Sequence, residues 1–144
     1  MKDQSQLLLE NQLCFPIYAT SRMITRLYQP LLDVIGLTYP QYLVMLVMWE
    51  HENLSVSQLG NKLFLNTNTI TPLLKKMELK GLIVKKRSSE DERTVNVSLT
   101  KSGQQLKIKA LDIPEKLATT SNIPITELNQ LRSTMWKMLN FIEK

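Results

Sequence analysis

The chain has 144 residues, 43% of them hydrophobic, which is enough for one compact core and too short to expect two domains. The formal charge of +5 is uneven: residues 1–54 carry three basic and five acidic side chains, residues 55–109 eleven and four, and residues 110–144 four and four. No apolar run approaches the roughly 20 residues of a membrane span, and Met1 to Gln6 lead into no secretory signal, so a cytoplasmic protein with a cationic middle is expected.

Residues 7–35 read as mostly helical, with Leu13, Ile17, Ile24, Leu27, Leu31 and Ile35 as the apolar positions and Gly36 as the stop. Thr38-Tyr-Pro-Gln41 is a capping box that starts a helix through Tyr42, Leu43, Leu46, Val47 and Trp49. Ser55-Val-Ser-Gln58 is a second one, followed by a short helix and a turn at Leu65-Asn66. The next helix carries Ile70, Leu73, Leu74 and Met77 at i, i+3, i+4, i+7 spacing. Pro72 has no N–H and places that helix's start between Asn66 and Thr69, and Gly81 ends it.

Leu82 to Arg87 then reads as a strand, Ser88 to Arg93 as a polar hairpin tip, and Thr94 to Leu99 as a strand with Val95, Val97 and Leu99 inward. Thr100 can cap a long helix that Pro114 should bend or interrupt. After a break at Asn122-Ile-Pro-Ile, a last helix carries Leu128, Leu131, Met135, Met138, Leu139 and Ile142.

Helix, turn, helix and hairpin in this order predict a mainly α protein with a small β-hairpin wing, a winged helix-turn-helix over about 54–100. The face of the second helix opposite its apolar stripe holds Asn68, Thr71, Pro72 and Lys75, flanked by Thr69 and Lys76. Asn66 and Thr67 at its start and Arg87 and Arg93 in the wing complete a candidate DNA surface. The charge excess falls on this segment, where phosphates would be neutralised, and double-stranded operator DNA is the expected partner. The helices over about 1–35 and 101–144 flank this core, and an obvious use for them is dimerisation within a single domain, 1–144. A two-fold dimer would read a pseudo-palindromic operator.

Cys14 is the only cysteine, so neither an internal disulfide nor a cysteine zinc cluster is possible, and no metal or cofactor is expected. An isolated cysteine is most often a small core residue. Pro16, however, favours a helix start near Phe15, which would put the Cys14 sulfur where the helix dipole favours thiolate, the form that peroxides oxidise. His51, between Glu50 and Glu52, reads as a solvated helix end. Without a phosphate loop, a nucleophile elbow or a second histidine, an enzyme is not expected.

Leu9-Glu-Asn-Gln-Leu-Cys-Phe15, Leu37-Thr-Tyr-Pro-Gln-Tyr-Leu43, Trp49-Glu-His-Glu52, Leu73-Leu-Lys-Lys-Met-Glu78 and Arg87-Ser-Ser-Glu-Asp-Glu-Arg93 together resemble the organic-hydroperoxide-sensing branch of the MarR regulators, over about residues 7–115. The resemblance implies a homodimeric repressor with Cys14 as the sensing thiol, Tyr28 and Tyr39 as the tyrosines that bond its sulfur, and Asp91 and Arg93 in the wing motif. Asn66-Thr67-Asn68 departs from the Asp-Ser-Gly often found there, which bears on the operator sequence.

Tyr28 is fourteen residues from Cys14, roughly 21 Å along a continuous helix, so the tyrosines would have to come from the other subunit. Tyr18, one turn from Cys14, could line the same pocket. The expected function is a dimeric repressor that leaves its operator when an organic hydroperoxide oxidises Cys14, with a small thiol trapping the product or overoxidation following. The alternatives are a regulator of the same fold that binds a small aromatic ligand, with Cys14 structural, and a thiol peroxidase, disfavoured because nothing in the chain regenerates the thiol.

Overall fold

Thr38 and Ser55 start their helices as the capping boxes predict, in a computed structural model that describes residues 4–143. Met1 to Asp3, on which part of the signal-peptide reading rests, lie outside the described residues. The Thr38 Oγ1 accepts from the Gln41 N–H at 3.5 Å and the Thr38 N–H donates to Gln41 Oε1 at 3.2 Å. At Ser55 the corresponding distances are 3.1 and 2.9 Å. Each box satisfies two N–H groups that a helix start leaves without partners.

Two short 3₁₀ turns, Gln4–Leu7 and Leu9–Asn11, precede α1 (Cys14–Asp33). The helix expected from residue 7 thus begins at Cys14. There follow α2 (Tyr39–Glu50), β1 (Asn53–Ser55), α3 (Val56–Lys62), α4 (Thr67–Leu79), β2 (Ile83–Arg87), β3 (Val95–Leu99) and α5 (Lys101–Ala110). These elements lie in the first of two compact units, divided between Leu111 and Asp112. The second unit holds α6 (Ile113–Thr120) and α7 (Ile125–Ile142). The long helix expected after Thr100 is thus interrupted between Ala110 and Ile113, and Pro114 sits in the first turn of the new helix, where its missing N–H costs nothing.

The three strands form one antiparallel sheet in the order β1-β3-β2, with Leu54 and Lys85 both opposite Val97. The sequence pattern predicts only the hairpin; β1 has three residues and acquires its structure by pairing with β3. Of the three side chains expected inward on β3, Val97 is fully buried while Val95 and Leu99 are half-buried.

The core of the first unit joins Leu32 of α1, Val44, Met45 and Met48 of α2, Leu59 of α3, Ile70, Leu74 and Met77 of α4, and Ile83 and Val97 of the sheet, each at most 1% exposed. Truncating one of the larger of these to alanine costs about 2–5 kcal/mol. Gly81, at φ 70°, ends α4 in the left-handed conformation, with Leu82 N–H bonded back to Met77 O at 3.1 Å and Gly81 N–H to Glu78 O at 2.9 Å.

Three longer-range links fix the orientation of α4 and the base of the wing. Lys80 Nζ donates to Gly36 O and Gln41 Oε1, both at 2.8 Å, which joins the end of α4 to the α1–α2 turn. Glu78 accepts the Lys85 backbone N–H at 3.0 Å and lies 3.2 Å from Lys85 Nζ, which joins α4 to β2. Trp49 Nε1 donates to Gly103 O at 2.9 Å, which joins α2 to α5, while Thr100 caps α5 and donates to Gly81 O at 2.6 Å. Gly103 packs so closely that a Cβ there would overlap the Leu82 carbonyl. His51 is the C-cap of α2, its side chain half-buried and Nε2 3.5 Å from Glu50 Oε1, so it is less solvated than its sequence setting suggests.

Candidate DNA-binding face and thiol site

The candidate recognition surface is built by the division of α4 into two faces. Ile70, Leu74 and Met77 are buried and Leu73 half-buried, so Thr67, Asn68, Thr69, Thr71, Pro72, Lys75 and Lys76 are left exposed on the other side. Asn66 is the N-cap, and its Oδ1 accepts from the Thr69 N–H at 3.0 Å and the Thr69 Oγ1 at 3.1 Å. That oxygen and that hydroxyl are thereby committed to starting the helix, and Thr67, Asn68, Thr71, Lys75 and Lys76 remain as its outward polar groups. Pro72 lies in the second turn of a helix that begins at Thr67, inside the expected range Asn66–Thr69, and its missing N–H removes one backbone bond.

The wing tip is organised by Asp91. Its Oδ1 accepts the Arg93 backbone N–H at 3.0 Å and its Oδ2 the Thr94 hydroxyl at 3.1 Å, while Ser88 Oγ accepts from Glu90 N–H at 3.2 Å. Asp91 thus holds the main chain of Arg93, and among the described residues no carboxylate lies within ion-pair distance of the Arg93 guanidinium. Arg87 spans the loop by donating to Glu92 O at 3.1 Å. A cavity of about 380 Å³ separates the wing from α4, lined by Ser55, Thr67, Thr71, Leu74, Lys85 and Arg93. The helix and the wing tip therefore border one concave surface. Lys85 is absent from the sequence expectation; only its folded position across from Glu78 brings it there.

Cys14 is exposed and is the first residue of α1, so its sulfur lies at the helix start that Pro16 indicates. Tyr18 is 61% exposed one turn further along. Tyr28 lies on the same unbroken helix, and its ring centroid is 4.9 Å from Tyr39 and 5.7 Å from Tyr42. The structure brings Tyr28 and Tyr39 together and leaves Cys14 of the same chain a long helical span away. Tyr42, 2% exposed, is the member of this cluster that the sequence does not single out; its ring also meets Trp49 edge-on at 6.4 Å.

Burial, then the neighbouring Tyr39 and Tyr42, push the Tyr28 phenol up to about 12, and burial raises Tyr39 as well. Both hydroxyls consequently stay protonated at neutral pH and are available to donate a hydrogen bond.

A cationic two-helix motif with a braced wing defines a winged-helix DNA-binding protein. The profile of the family described as Transcriptional regulator SarA/Rot matches residues 26–110. The chain is 50% identical to the organic hydroperoxide resistance transcriptional regulator of Bacillus subtilis strain 168, covering 94% of this chain and 92% of that one. It superposes on reduced AbfR bound to DNA with a TM-score of 0.80 at 33% identity, covering all of both chains. With overoxidised AbfR bound to DNA the TM-score is 0.75 at 34% identity, covering 96% of this chain and 99% of that one. AbfR is a protein of Staphylococcus epidermidis.

The protein is a DNA-binding transcriptional regulator and not an enzyme. It belongs to the MarR family, in the branch of the SarA/Rot and organic hydroperoxide resistance regulators. Among the described residues no helix is long and apolar enough to cross a membrane.

Proposed function

We propose that the protein is a cytoplasmic homodimeric repressor that leaves a pseudo-palindromic operator when an organic hydroperoxide oxidises Cys14. The observation that carries this reading is the placement of an exposed Cys14 and the Tyr28–Tyr39 pair on opposite parts of one chain, with α1 unbroken between Cys14 and Tyr28. Two antiparallel copies would offer each thiol the partner's tyrosine pair. In this reading residues 1–144 act as one MarR-type domain whose terminal helices make the interface. Exposed Leu13 just before α1, Phe15, Met23 and Leu27 on α1, and Leu131, Trp136, Phe141 and Ile142 on α7, supply apolar surface for it.

The Cys14 thiolate attacks the outer peroxide oxygen, the O–O bond breaks, an alcohol leaves and the sulfur becomes a sulfenic acid. With no second cysteine in the chain, a small thiol then condenses with it or further peroxide overoxidises it. The solved complex of overoxidised AbfR with DNA favours the mixed disulfide as the releasing form. On the DNA side, Asn68, Thr71 and Lys75 enter the major groove, Thr67, Lys76 and Arg87 sit beside phosphates, and Arg93, supported by Asp91, enters the minor groove. A purely structural Cys14, as a ligand-gated regulator would have, is disfavoured by its exposure.

Operator binding by wild type and Cys14→Ser, with and without cumene hydroperoxide and a small thiol, tests the reading. Wild type should release DNA on oxidation and Cys14→Ser should stay bound; equal release by both removes Cys14 as the switch. A monomeric mass in solution would remove the dimer.

A further inference from the structure

Two of the three basic residues among the first 54, Arg22 and Arg26, lie one helical turn apart in an otherwise acidic segment. Arg22 extends its guanidinium back over the ring of Tyr18, with Cζ 5.3 Å from the centroid. Helical side chains lean toward the N-terminus, so this posture carries the charge toward the turn that begins at Cys14. Tyr18 is only four residues from Cys14, about 6 Å of helical rise. Arg22, Thr25, Arg26 and Gln29 together line a shallow depression of about 400 Å³.

Among the described residues neither guanidinium has a carboxylate within ion-pair distance. Asp33, the one acid on α1, instead accepts from Gln29 Nε2 at 2.5 Å. Thr25 donates its hydroxyl to Ser21 O at 2.6 Å. Arg22 and Arg26 are both exposed, the two cations of the helix.

We infer that Arg22, with Arg26 behind it, recognises the carboxylate of the small thiol that captures oxidised Cys14, so the protein selects thiols bearing a carboxylate over neutral ones. This rests on the reading of Cys14 as the sensing thiol. In the step itself the incoming sulfur attacks the Cys14 sulfur of the sulfenic acid, the S–S bond forms, the S–O bond breaks, and the hydroxyl leaves as water with the thiol's proton. A carboxylate a few ångströms from that sulfur meets the Arg22 fork as a charge-assisted pair.

The test uses the full-length protein, converted to the sulfenic acid with one equivalent of cumene hydroperoxide. It is mixed with N-acetylcysteine, which has a carboxylate, or N-acetylcysteamine, which does not, and mixed disulfide is counted by intact mass. The ratio of the two rates in wild type should favour N-acetylcysteine by about fivefold, the scale of exposed charge pairs, and should shrink with added salt. Arg22→Gln with Arg26→Gln should bring the ratio to one, while Arg22→Lys should keep part of it. A ratio of one in wild type, or a preference that survives in the double variant, overturns the inference. Loss of operator affinity in the double variant would assign the arginines to DNA and overturn it too. Failure of Cys14 to form a sulfenic acid would instead bring down the reading of Cys14 as the sensor, and the inference with it.

Discussion

The ring of Tyr28, near the end of α1, stands 4.9 Å from that of Tyr39, at the start of α2, although Cys14 begins the helix that carries Tyr28. If the pair serves the thiol of the other subunit, mixed dimers will show it. One subunit keeps Cys14 with Tyr28→Phe, and the other carries Cys14→Ser with Tyr28 intact. The lone thiol should then oxidise at the wild-type rate, measured by trapping its sulfenic acid. Oxidation at the slower rate of the Tyr28→Phe homodimer would place the tyrosine's action within its own chain.

Burial raises the Tyr28 phenol from 10.0 to about 12 in the folded chain. A group whose folded value is raised contributes stability below its unfolded value and loses it as pH climbs through the folded one. Wild type should therefore lose stability between about pH 10 and pH 12, and Tyr28→Phe should lose less over that range. Chemical denaturation at a series of alkaline pH values provides the comparison, and parallel losses would contradict the assignment.

Glu78 behaves in the opposite sense. The Lys85 backbone N–H, and then the Lys85 side chain, hold its carboxyl below the usual range. Its contribution is thus present at neutral pH and lost as pH falls below about 4, through the lowered value. Glu78→Gln should melt lower than wild type at pH 7, and the gap should close in acid. A gap that stays constant down to pH 3 would mean that charge is not what joins α4 to β2 there.

Gly103→Ala sets two effects against each other. Alanine gains about 1 kcal/mol of helix propensity over glycine, but its Cβ would overlap the Leu82 carbonyl, and overpacking typically costs about 1–3 kcal/mol. Because the obstacle is backbone, the clash should win, lowering the melting temperature by several degrees and weakening the Trp49 bond to Gly103 O. Unchanged or increased stability would show that α5 can move aside.

On DNA, Lys75→Ala should weaken binding to all sequences and reduce the salt slope by about one. Arg93→Ala should instead abolish the preference for A·T pairs at the operator flanks, since among the described residues no carboxylate lies within ion-pair distance of its guanidinium. If wild type and Arg93→Ala lose affinity equally when those flanks become G·C, the minor-groove role is wrong.

What the sequence shows clearly is local. The boxes at Thr38 and Ser55, the α4 stripe and the Gly81 stop all lie within a few residues and follow from capping and periodicity. What it hides depends on separation in the chain. Lys80 meets Gly36 across 44 positions and Trp49 meets Gly103 across 54, and no periodicity encodes such pairs. The strand Asn53–Ser55 is too short to alternate, and Tyr42 reads in the sequence as an ordinary apolar position of α2, whereas its ring packs against Tyr28 and Tyr39. On the candidate site, the exposed face of α4 and the capping role of Asn66 were legible, whereas Lys85 required the fold.

The Trp49 indole, bonded to Gly103 and edge-on to Tyr42, also makes the chain its own optical instrument. Only two tryptophans are present, Trp49 in the first compact unit and Trp136 in the second. Replacing Trp136 with phenylalanine would leave a single emitter whose colour and intensity report the junction of α2 with α5, beside the tyrosines and at the root of the wing. Peroxide or operator added to that variant could be followed in real time, without a dye, from a hydrogen bond neither ligand has to touch.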